Sequence, residues 1–141
     1  MTIRDLEKLL SLDPYSFNNA KRGWRSQRLN DQILAITAYI LRYVRNNKWN
    51  RDTPKAIHEE TPIDLRLNLA KLFALKGDYK SAIAQYQQCI TKDIIANSKI
   101  LSTIAFLNSD RDGFDLHADL NDPEMAKFNN NWGKTFSEAI K

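Results

Sequence analysis

The chain carries a single cysteine, Cys89, so no intramolecular disulfide can form and the fold rests on its core alone. A reducing compartment suits such a sequence, and a cytoplasmic location is expected. Glycine and proline are scarce, four of each in 141 residues, which favours long helices over many turns. No apolar run approaches the roughly 20 residues that span a bilayer. The first residues, Met-Thr-Ile-Arg-Asp-Leu-Glu-Lys, lack the apolar stretch of a signal peptide. Neither a membrane role nor export is expected. Strand signals are missing too: nothing alternates over six residues, and Asp112-Gly113 has no strand-like flank.

What is present describes an ordinary folded protein, 43% hydrophobic and 27% charged. The length suits one domain over residues 1–141. Charge is unevenly placed. Residues 1–56 hold 11 Lys/Arg against 5 Asp/Glu, and residues 57–141 hold 10 against 12, so the two halves differ in electrostatic character.

Periodicity predicts an all-α fold, a compact helical domain of about five to six helices. Thr2 and Asp5 resemble a capping box, with Leu6, Leu9 and Leu10 on one face before Asp13-Pro14. Residues 15–30 lack a clean period and read as loop. Ile33, Ile36, Ile40, Leu41 and Val44 then recur at three and four residues, predicting a helix over about 31–46 with Arg42 and Arg45 on its other face. Thr53-Pro54 and Thr61-Pro62 read as helix starts, a capping hydroxyl followed by proline. The second opens a helix with Leu65, Leu69, Leu72 and Phe73 on one face. Lys76-Gly77-Asp78-Tyr79 forms a turn, and Ala82, Ile83, Tyr86 and Ile90 mark the next helix, giving an antiparallel hairpin. Asn97 or Ser98 is the expected cap of a helix through Ile100, Ile104 and Leu107. Asp122-Pro123 begins a last one with Met125, Phe128, Trp132 and Phe136, doubtful in its middle at Asn129–Asn131 and Gly133.

In residues 63–97, Leu69, Ala70, Phe73, Gly77-Asp78-Tyr79, Ala82, Tyr86 and Cys89 follow the spacing of a tetratricopeptide repeat, which this hairpin resembles. Small residues at 70, 82 and 89 would let helix backbones approach, and Phe73 and Tyr86 would fill the space between. Arg66 stands where the repeat usually has a large residue, and Ile94 where a proline often closes the second helix. A helix after Asn97 is in register for a second unit, but no Gly-Asp-Tyr-like turn is evident after it. The resemblance implies binding of a protein or peptide.

Three groups of residues are candidates for that binding. Residues 21–55 hold nine Lys/Arg, among them Arg25, Arg28, Arg42 and Arg45, with Trp24, Tyr43 and Trp49 interleaved. Such a segment suits phosphates with stacked bases, or an acidic protein surface; the plain alternative is a solvated helix face with its aromatics in the core. Tyr79 and Tyr86, with Trp49, are aromatic anchors if exposed. Asp112, Asp115 and Asp119 belong to an acidic patch that also includes Asp110, Asp122 and Glu124. As a calcium loop it fails, because counting from Asp110 the sixth residue is Asp115 and the twelfth is Asn121. It either solvates itself or meets a basic partner, such as a nuclease or the basic half of this chain.

Catalysis, metals and cofactors find no support. His58 and His117 are the only histidines and lack metal-ligand spacing. Cys89 sits where the hairpin calls for a small buried residue, and the four glycines are isolated, so no phosphate-cradling loop exists. The expected function is non-enzymatic protein–protein interaction, in the form of an inhibitor, such as a toxin's immunity partner, or an adaptor. The alternative is binding of RNA or single-stranded nucleic acid through residues 21–55.

Overall fold

The structure, a computed structural model, describes residues 29–46 and 62–141. Those residues form seven helices and no strand, so the chain is all-α as its periodicity predicts. None of these helices is long and apolar enough to cross a membrane. The chain divides into two compact units, Met1–Leu72 and Phe73–Lys141. The short helix near the N-terminus, the start at Thr53-Pro54 and residues 15–28 of the expected loop lie outside the described residues, while Leu29 and Asn30, expected in that loop, already belong to a helix.

In the first unit, α1 spans Leu29–Asn46. Five consecutive residues, Ile36, Thr37, Ala38, Tyr39 and Ile40, are all buried. A surface helix buries one stripe, so this turn is enclosed on every side, more fully than the three-four spacing of its isoleucines implies. Helix α2 spans Pro62–Lys76, with the proline at its start as expected. Its Leu65, Leu69, Ala70 and Leu72 are buried, and the last turn, from Phe73, belongs to the second unit.

The second unit continues with α3 (Tyr79–Gln88), α4 (Ile94–Leu107), α5 (Arg111–His117), α6 (Pro123–Asn130) and α7 (Phe136–Ala139). Helix α4 is its centre and packs against α3, α5 and α6. Its core is largely aromatic. Phe106 stacks on Phe128 with centroids 4.3 Å apart, and Phe128 lies 5.6 Å from Phe136. Trp132 meets Phe106 edge-on at 5.4 Å and Phe114 at 5.2 Å. Offset and edge-to-face rings each add roughly 0.5–1.5 kcal/mol beyond the area they bury.

Aspartates start most of these helices. The carboxylate of Asp78 accepts the Ser81 N–H at 3.2 Å, that of Asp110 the Gly113 N–H at 3.0 Å, and that of Asp122 the Glu124 N–H at 2.9 Å. Each satisfies a helix donor that would otherwise lack a partner. Helix α4 begins earlier than Asn97. Asp93 accepts the Ile95 N–H through its side chain and the Asn97 N–H through its carbonyl, both at 3.0 Å. Asn97 is buried instead, accepting the Thr91 N–H at 2.9 Å and donating to the Thr91 carbonyl. It therefore pins the loop between α3 and α4. Since α3 ends at Gln88, Ile90 falls outside that helix, and Ile94 opens α4 rather than closing α3.

The turn between α2 and α3 is a Schellman motif. The Asp78 N–H reaches the Phe73 carbonyl and the Gly77 N–H the Ala74 carbonyl, both at 3.0 Å, with Gly77 at φ 87°. Contrary to the sequence expectation, the same turn recurs 32 residues later. The Asp110 N–H reaches the Ala105 carbonyl at 2.8 Å and the Ser109 N–H the Phe106 carbonyl at 3.1 Å, with Ser109 at φ 56°. Serine at the left-handed position conceals the motif. The expected last helix is broken: α6 ends at Asn130, Gly133 turns the chain at φ 88°, and Thr135 starts α7. Thr135 accepts the Glu138 N–H as its N-cap and donates its hydroxyl to the Glu138 carboxylate.

Candidate functional site

The basic candidates fall largely outside the structure's description. Trp24, Arg25, Arg28 and Trp49 lie beyond the described residues, as does His58; Arg42 and Arg45 lie on α1 without described side chains. Tyr86 is not an exposed anchor. It is 6% exposed, and burial, with the Glu124 carboxyl and the Cys89 thiol nearby, pushes its phenol far above the usual range. Its ring belongs to the core. Tyr79 is half-buried, and its hydroxyl accepts the Phe136 N–H at 2.7 Å. That bond ties α7 to the start of α3.

The acidic patch divides by role. Asp110 and Asp122 are helix caps. Asp122 also lies 3.4 Å from the Lys99 ammonium, which reaches Glu124 at 3.8 Å. Partial burial raises the Asp122 carboxyl, but the N–H groups of Glu124 and Met125 and the Lys99 charge outweigh it and hold it below the usual carboxylate range. Asp112, Asp115 and Asp119 are exposed. Asp115 pairs with Arg111 at 3.1 Å, and Asp119 accepts the Asn121 N–H at 2.9 Å. The Arg111 guanidinium also donates to Asn129 and lies 4.8 Å from the Trp132 ring centroid, an arrangement that fixes it over the aromatic cluster.

Two residues that sequence reasoning overlooked stand among these carboxylates. Leu116 is 77% exposed and Leu120 is 53% exposed. Residues two apart on a helix point to nearly opposite sides, so burial of Phe114 turns Leu116 outward. A second exposed apolar pair, Ile90 and Ile95, borders the loop between α3 and α4. Cys89 is buried, as expected for the hairpin. His117 is half-buried, and among the described residues no three His, Cys, Asp or Glu side chains gather as metal ligands.

No family model, curated protein or solved structure matches this chain.

Proposed function

We propose that this protein is a non-enzymatic protein-interaction module of the dedicated-inhibitor type, the immunity partner of a toxin being the form such a chain would take. The observation that supports the reading is the recurrence of one turn. Gly77-Asp78 and Ser109-Asp110 share the same pair of backbone hydrogen bonds and the same aspartate cap. We read this recurrence as the repeat-like character inferred from residues 63–97 carried into a second helix–turn–helix. Consecutive units of this kind build a rigid scaffold whose exposed positions vary freely, which is the design of a binding protein.

The test is affinity capture of the tagged protein from its own cell lysate, nuclease-treated, at two salt concentrations. A single stoichiometric protein retained at both supports the reading. Recovery of nucleic acid that disappears at the higher salt favours residues 21–55 as the functional surface instead.

A further inference from the structure

We infer that Leu116 and Leu120, with Asp112, Asp115 and Asp119, form the docking surface for a basic protein segment that carries lysine or arginine around an apolar side chain. The inference rests on the interaction-module reading and adds the place and the chemistry of recognition.

Single exposed leucines are ordinary on protein surfaces, but this pair is four residues apart and sits within a strongly acidic stretch. Between residues 110 and 124 there are six carboxylates and one arginine. The fold uses Asp110 and Asp122 as caps, and Arg111 is held by Asp115, Asn129 and Trp132. Asp112 and Asp119 are exposed and, among the described residues, take part in no ion pair. The core needs neither leucine, since Phe114 supplies the buried contact of α5. Exposed apolar and acidic side chains thus alternate within one short segment, residues 112–120, the two kinds of group that an interface core and its polar rim combine.

The sign of the charge selects the occupant. Nucleic-acid phosphates and anionic lipid are repelled from this face, whereas a cationic segment is attracted and its apolar side chain can cover the leucines. Ile90 and Ile95 lack such a preference, because Lys92 and Asp93 between them have opposite charges.

The probe is a fluorescein-labelled 15-residue peptide with lysines flanking two leucines four residues apart. Its controls replace the lysines with glutamate or the leucines with serine. Titrated into the isotopically labelled full chain, the lysine–leucine peptide should bind saturably. It should shift the methyl signals of Leu116 and Leu120 and the amides of Asp112, Asp115 and Asp119. Leu116→Ala should weaken it roughly tenfold, the scale of a central interface residue. The doubly reversed Asp112→Lys/Asp119→Lys chain should weaken it by at least about tenfold. All these positions are exposed, and unchanged melting curves confirm that the variants fold. Equal binding of the lysine and glutamate peptides, shifts centred elsewhere, no saturable binding, or affinity indifferent to these substitutions overturns the proposal. If the variants still retain the protein captured from lysate, the surface is wrong and the module reading stands. If no protein is captured by any form, the module reading itself fails.

Discussion

Ser109 holds a left-handed backbone, φ 56°, where the preceding turn uses Gly77 at φ 87°. A side chain in that region costs roughly 1–2 kcal/mol, part of which glycine returns as unfolded-state entropy. Ser109→Gly should therefore raise stability by about 0.5–1 kcal/mol, read from denaturant unfolding. An unchanged or lower midpoint contradicts the assigned turn. Asp122 gives a pH-dependent counterpart. Asp122→Ala removes a cap contributing about 1 kcal/mol, so it should destabilise the protein at pH 7. The folded state holds this carboxyl below its ordinary value, so its electrostatic contribution is complete above roughly pH 4. It is lost as pH falls through the lower folded value. Wild-type and variant stabilities should converge as the pH falls through the acid range, and a gap that stays constant there contradicts the electrostatic origin of the effect.

Among the elements, α5 shows how close packing and capping constrain one position. A Cβ on Gly113 would lie 2.3 Å from the Asp110 carboxylate oxygen and 3.4 Å from the Ala105 side chain. Replacing a helical glycine with alanine ordinarily gains about 1 kcal/mol, but here the cap must move aside. Gly113→Ala should thus be nearly neutral alone and stabilising by about 1 kcal/mol in an Asp110→Ala background. A full gain in both backgrounds removes the conflict from the account. Phe128, fully buried against two other aromatic rings, should cost about 3–5 kcal/mol when cut to alanine, measured by the same unfolding curves.

These elements differ in how far their residues announce them. Helix α1, the proline start of α2 and the Gly77-Asp78 turn were legible because periodicity, a capping proline and a glycine all act locally. Asp93 was passed over as a cap because Asn97 offered an equally suitable side chain, and only the tertiary fold buries Asn97. Ser109 hid the second turn, since nothing local marks a serine as left-handed. At the site, the carboxylates of Asp112, Asp115 and Asp119 were visible as a run of charge. The outward leucines emerged only once Phe114 was known to be inside. Tyr86 fitted both a core and a contact role, and burial decided for the core.

For the whole molecule, opposite charge in the two sequence halves offers two routes to a partner, and the one proposed above is the acidic stretch that also holds the exposed Leu116 and Leu120. Recognition of a partner through that acidic surface is what we propose, with Leu116 and Leu120 exposed beside Asp112, Asp115 and Asp119 in the sequence. Sedimentation of the purified chain with the protein recovered from lysate, after nuclease treatment, tests this most directly. The account predicts one faster-sedimenting complex containing both proteins in fixed proportion. Two proteins sedimenting independently, with the chain travelling instead with added RNA, would contradict it.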